Sequence, residues 1–161
     1  MINLSKNGIV LPKDVLIKQE TPFVDERGEI QPLVDIDFKS CVLITSKKGT
    51  IRANHYHKTD WHFCYVLKGS IDYYHRPVGK NKAPEMIKIK KEQLFFTPPM
   101  VEHAMVFHED TAFLTLGGNS RIQSKYEEDL VRTELVSPDV VFKWMNFVSD
   151  EILVVYVIKQ I

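Results

Sequence analysis

Short segments rich in β-branched and aromatic residues, each closed by turn residues, recur along most of this chain, and their spacing constrains the fold more than any other feature. Cys41–Thr45 runs into the turn SKKGT, Trp61–Leu67 into Lys68, Gly69 and Ser70, and Ile71–Arg76 into PVGKNKAP. Met86–Lys90, Leu94–Thr97, His103–Phe107, Ala112–Leu116 and Ile152–Ile158 have the same character. Regular short strands with turns between them predict an all-β sandwich or barrel. Helical signals are fewer. Gln123–Leu135 reads as one short helix, and Asp139–Phe147 as a second, opened by Ser137 and Pro138. Val140, Val141 and Phe142 make a strand the alternative for that last segment. No repeat or flexible linker divides the 161 residues, so 1–161 reads as one domain. Its barrel core is expected over about 23–135, and the first 22 residues form an arm that packs on a neighbouring subunit.

Charge narrows the partners. Lys plus Arg number 21 and Asp plus Glu 21, so the formal net charge is zero. Without a basic block, nucleic acid and anionic membranes are excluded as main partners, although a local pocket for one phosphate-bearing small molecule is not. Cys41 and Cys64 each sit in an apolar stretch with no metal-binding spacing, and read as small buried hydrophobes in a reducing compartment. The N-terminus carries no sustained apolar leader, and the longest apolar run, Ile152–Ile158, is far shorter than the roughly 20 residues that span a bilayer. The expectation is a cytoplasmic protein.

All six histidines fall between His55 and His108. His55 and His57, two apart, leave the same face of a strand. His62 follows across a turn, and His103 comes just after Pro98 and Pro99. Two imidazoles from one strand and two from its neighbours converge if the strands close a small barrel. Neutral imidazoles are ligands for Zn, Ni, Cu or Fe. His75 and His108 read as surface or hydrogen-bonded side chains. Trp61 reads as packing on the outer face or at a subunit contact, and Glu102 as solvent-exposed.

The order Gly49, His55, His57, His62, Gly69 follows the spacing of the first cupin motif, and Pro98 with His103 part of the second. His62 replaces the first motif's glutamate, Met100 the second motif's Gly and Phe107 its Asn. The chain therefore resembles the cupins, which implies a single jelly-roll β-barrel with a few short helices. Four further stretches narrow the resemblance over roughly residues 23–132. Phe23 to Gly28 contains Asp25, Arg27 and Gly28, similar to the Asp-x-Arg-Gly signature of deoxythymidine-diphosphate-sugar 3,5-epimerases and 3,4-ketoisomerases. Arg52 to Lys58 is similar to their Arg-Gly-x-His-x-His-Lys stretch, with Ala53 in place of Gly. Pro98 to His103 matches the Pro-Pro-Met-x-x-His of the ketoisomerases, and Tyr126 to Arg132 echoes their Tyr-x-Glu-x-Asp-x-x-Arg.

The resemblance implies isomerisation or epimerisation of a 4-keto-6-deoxysugar nucleotide by proton transfer next to a carbonyl, in surface-polysaccharide or deoxysugar synthesis. Imidazole titrates near neutrality and suits that transfer. The candidates are His55 and His57, with Tyr65 or Tyr73 as partner acid. Arg52 would stabilise the enediolate, and Arg27 and Arg121 would hold the diphosphate, each having a surface salt bridge as its plain alternative. No cofactor is then needed. The competing expectation is a metal-binding cupin, another metal-dependent enzyme or a small-molecule-binding module, with a divalent transition metal (Zn, Ni, Fe or Mn) on His55, His57, His62 and His103. A metal would take the lone pairs that a base needs, so the two readings compete. Cupins of this kind are commonly dimers, and a homodimer is expected, with Ile152–Ile158 as either a contact strand or an inner barrel strand.

Overall fold

The computed structural model describes residues 4, 5 and 8–139. Its elements in chain order are β1 (Leu4–Ser5), β2 (Gly8–Ile9), β3 (Leu16–Ile17), β4 (Phe23–Asp25), β5 (Gly28–Ile30), β6 (Ser40–Ser46) and β7 (Thr50–His57). They continue with β8 (His62–Lys68), β9 (Ser70–Pro77), β10 (Glu85–Lys90), β11 (Leu94–Thr97), β12 (Val101–Phe107), β13 (Thr111–Gly117), α1 (Gln123–Asp129) and β14 (Leu130–Arg132). Each strand expected within the described residues is present, within a residue or two of its expected ends. Ile152–Ile158 lies outside the described residues, as does Asp139–Phe147 beyond its first residue.

Two five-stranded antiparallel sheets carry the architecture, in the orders β3-β11-β8-β13-β6 and β10-β9-β12-β7-β14. This is an all-β jelly roll. Strand alternation turns Cys64, Val66, Ile71, Tyr73, Ile89, Phe95, Met105, Phe107 and Phe113 into one cluster between the sheets. Burying each large side chain there contributes roughly 1.5–3 kcal/mol. A second cluster, Phe63, Leu94 and Phe96 with Tyr65 and Trp61, covers the opposite face of β8 and β11.

Three expectations are corrected. The helix over Gln123–Leu135 stops at Asp129. Leu130 and Val131 instead pair with His57 and Tyr56 of β7, where a β-branched residue gains a ladder partner. The N-terminal arm lies partly on its own barrel, since Leu16–Ile17 pairs with β11 and the Val15 carbonyl accepts the Phe96 N–H. Cys64 is buried as expected, whereas Cys41 is exposed, on the outward side of edge strand β6.

One irregularity positions the site. His103 is opposite His55 and Ala104 is opposite Ala53, so Asn54 is an extra residue, a β-bulge in β7. Ala53 (φ 66°) and Asn54 (φ 53°) both take the left-handed conformation. The Asn54 side chain anchors the bulge: its Oδ1 accepts the N–H groups of Leu135 and Val136, and its Nδ2 donates to the Val136 carbonyl.

Candidate functional site

Register brings the histidines together. His55, His103 and His75 stand side by side on β7, β12 and β9. His57, two residues beyond His55, lies on the same inner face. Ring centroids are 4.8 Å apart for His55–His57, 4.7 Å for His55–His103 and 4.7 Å for His57–His62. His57 and His103 are buried and His55 half-buried.

Two of these rings are held in one orientation. Asp129, at the end of α1, accepts from His57 Nδ1 at 3.1 Å. That carboxylate also accepts the Thr59 N–H and hydroxyl and the Asp60 N–H, so it is itself fixed. His103 Nδ1 donates to the Val101 carbonyl at 3.1 Å. His57 Nε2 is buried and has no hydrogen-bond partner among the described residues. Its lone pair is therefore free for a ligand.

Burial disfavours the charged imidazoles. It pushes His57 down to about 4, reinforced by His62 and opposed by Asp60 and Asp129. Burial and the neighbouring rings push His55 down to about 2 and His103 to about 3. All three are neutral near pH 7.

The remaining sequence candidates separate. Tyr73 lies on the inner face, its ring 6.0 Å from His103 and its hydroxyl 3.0 Å from Thr97 Oγ1. Burial raises its pKa, so the phenol stays protonated. Tyr65 points the other way, into the outer cluster with Phe63. Arg121 reaches the site, over the Tyr126 ring and beside His62. Arg52 does not: its guanidinium donates to Ser46 Oγ and the Thr45 carbonyl, in a separate cleft lined by Lys47, Lys68 and Asp110. Arg27 is exposed on the β4–β5 hairpin, paired with Asp25.

Among the histidines without a motif position, His108 bonds Asp72 at the surface, as expected. His75 faces inward instead, stacked 5.6 Å from Tyr73, and its buried Nε2 has no hydrogen-bond partner among the described residues. Glu102 is not solvent-exposed but half-buried, accepting from Arg76 Nε at 2.7 Å. Trp61 packs on Phe63 at 5.5 Å.

The metal set also divides. His55, His57 and His103 offer nitrogens within 4.8 Å of one another. His62 is not in that group, because its Nε2 faces Asp60 Oδ2 at 3.0 Å and Arg121 Nη2 at 3.2 Å. Three imidazoles, two with Nδ1 already engaged, form a donor set that fits a divalent transition metal.

Sequence reasoning did not single out Asp129, Asp60 or Tyr126 as site residues. A signal for Asp129 was in plain view, since Asp129 and Arg132 keep the Asp-x-x-Arg end of the pattern echoed there, whereas Tyr126 is one residue out of step with it. Asp60 had no signal beyond its place two residues before His62.

The same fold occurs in solved structures. A 3,4-ketoisomerase from Thermoanaerobacterium thermosaccharolyticum, a double mutant in complex with TDP, superposes with a TM-score of 0.60 at 24% identity, covering 82% of this chain and 93% of that one. A 3,4-ketoisomerase from Helicobacter canadensis gives 0.58 at 18% identity, over 80% and 94% of the two chains. The likeness is one of fold, an all-β jelly roll. A dTDP-4-dehydrorhamnose 3,5-epimerase from Sulfolobus tokodaii gives 0.53 at 17% identity, over 66% of this chain and 70% of that one. No family profile and no curated protein matches the sequence. Among the described residues, no helix is long and apolar enough to cross a membrane.

Proposed function

We propose that this cupin is a nucleotide-sugar isomerase or epimerase, acting on a 4-keto-6-deoxysugar by proton transfer next to the carbonyl. One observation carries the reading: His57 is fixed by Asp129 through Nδ1, while its buried Nε2 has no partner. In that arrangement Nε2 takes the proton from the carbon beside the keto group. The C–H electron pair moves into the carbon–carbon bond and the carbonyl pair onto oxygen, giving an enediolate. In isomerisation the proton returns at the neighbouring carbon while the hydroxyl proton on the first carbon passes to the former carbonyl oxygen; in epimerisation it returns to the same carbon on the opposite face. Asp129 stabilises the imidazolium formed in between, as an orienting carboxylate does in other acid–base pairs. Tyr73, held protonated, is the nearest buried phenol to supply a proton. The solved neighbours of the same fold include a ketoisomerase in complex with TDP-4-keto-6-deoxyglucose, which supports this substrate class.

A homodimer belongs to the same proposal, and the exposed apolar side chains of the β4–β5 hairpin, Phe23, Val24 and Ile30, offer a surface for it. The second reading is a metal on His55, His57 and His103, favoured by the convergence of their nitrogens. When bound, such an ion supplies Lewis-acid polarisation of a carbonyl. The experiment is turnover of TDP-4-keto-6-deoxyglucose by wild type and Asp129→Asn, with metal analysis of untagged protein. Proton transfer predicts activity after exhaustive chelation and a loss of about 10²–10⁴-fold in kcat in the variant, which still folds. Activity that vanishes on chelation and returns with one metal equivalent would count against it.

A further inference from the structure

His62 takes no part in the three-imidazole cluster, and its surroundings give it another task. Its Nε2 lies 3.0 Å from Asp60 Oδ2 and 3.2 Å from Arg121 Nη2. Asp60 is 2% exposed, and its other oxygen accepts the N–H groups of Trp61 and Asn119. This carboxylate is therefore a fixed, buried support. Arg121 in turn lies over the Tyr126 ring, 4.6 Å from its centroid, and Tyr126 stands 5.5 Å from His57. The guanidinium is not saturated, because its Nε is buried without a hydrogen-bond partner among the described residues.

We propose that His62 is a positioning residue: braced on Asp60, it holds the Arg121 guanidinium over Tyr126, at the edge of the imidazole cluster, ready for an anionic oxygen of the ligand. The identity of that ligand rests on the sugar-nucleotide reading above. The oxygen belongs either to the diphosphate or to the enediolate formed from the keto group, and both are bound by the same planar donors.

The chemistry of one ring nitrogen explains how such a cation stays available. Nε2 either carries a proton and donates to Asp60, or presents its lone pair and accepts from Arg121; it cannot do both at once. When the ligand draws the guanidinium away, a shift of the proton to Nε2 gives His62 back to Asp60. Asp60 Oδ2 then keeps a buried donor rather than losing its partner. A carboxylate bonded directly to Arg121 would have to be abandoned as a buried charge.

The test compares His62→Leu, which offers neither contact, with His62→Gln, whose amide can donate to Asp60 and accept from Arg121. Turnover of TDP-4-keto-6-deoxyglucose and the affinity for TDP alone are measured for each. A drop of about 10²-fold in kcat for the leucine variant, with unchanged TDP affinity, places the guanidinium at the enediolate. A loss of TDP affinity with kcat preserved places it at the diphosphate. Either result supports positioning, and the glutamine variant is expected to recover most of the loss. A folded leucine variant with wild-type kcat, KM and TDP affinity overturns the proposal, as does a stoichiometric metal lost only in that variant. If wild type neither turns over nor binds a sugar nucleotide, the functional reading fails separately. Positioning is then read from the Arg121 Nε–H signal by nitrogen NMR of the free protein. That proton should be protected from solvent exchange in wild type and the glutamine variant and exposed in the leucine variant; equal protection in all three overturns the idea.

Discussion

Lowering the pH from about 7.5 to about 5.5 is expected to cost this protein about 3 kcal/mol of folding stability, through the imidazoles of its own site. Burial pushes His57 from the ordinary 6.5 down to about 4 and His103 down to about 3. Their side chains are 1% and 2% exposed, so solvent does little to soften the effect. Because the folded pKa values are depressed, the unfolded chain takes up protons that the folded chain refuses. The stability from keeping these rings neutral is whole above pH 6.5 and is lost as the pH falls towards 4 and 3. At about pH 5.5 each unfolded imidazole gains about 1.4 kcal/mol from protonation, so the pair gives about 3 kcal/mol. A typical total of about 5–15 kcal/mol makes that a large share. Urea denaturation of chelator-treated protein at the two pH values measures it directly. A difference under about 1 kcal/mol would refute the reasoning. So would a His57→Asn, His103→Asn double variant that keeps the full pH dependence, since some other group would then carry it.

Two further outcomes concern stability alone. Ala53→Gly is expected to raise stability by up to about 1 kcal/mol in thermal denaturation, because Ala53 at φ 66° occupies a conformation that glycine adopts without steric cost. Thr97→Val should cost about 1–3 kcal/mol by stranding the buried Tyr73 hydroxyl, and adding Tyr73→Phe to it should restore most of that loss in the same urea assay.

Much of the barrel was legible because its strands are short, alternate in polarity and are closed by turn residues. The imidazole cluster was legible for a related reason, since side chains two apart share a face. Two departures from the resembled motifs, Ala53 in the Arg52–Lys58 stretch and Met100 after the double proline, fall at residues with a left-handed backbone. Ala53 and Met100 stand where the motifs have glycine, and both keep positive φ, 66° and 56°. What stayed hidden depends on contacts distant along the chain. Asp129 meets His57 across 72 positions and Arg121 meets His62 across 59, so no local pattern announces either pair. The expected end of α1 was misplaced for the same reason, as Leu130 and Val131 answer to β7 rather than to their own periodicity.

The extra residue in β7 has a consequence for how this strand tolerates change in length. Before the bulge, Arg52 is opposite Met105; after it, His55 is opposite His103, and Met105 and His103 share a side of β12. In a regular strand with Asn54 counted as a ladder residue, alternation from Arg52 would send both imidazoles outward and Tyr56 into the barrel. The bulge thus acts as a frame shift in the alternation of the sheet. Re-pairing Asn54 into the ladder would exchange the lining of the cavity with its outer wall, whereas deleting Asn54 itself would restore plain alternation with both imidazoles still inward. The chemistry of this barrel hangs on the parity of one short segment.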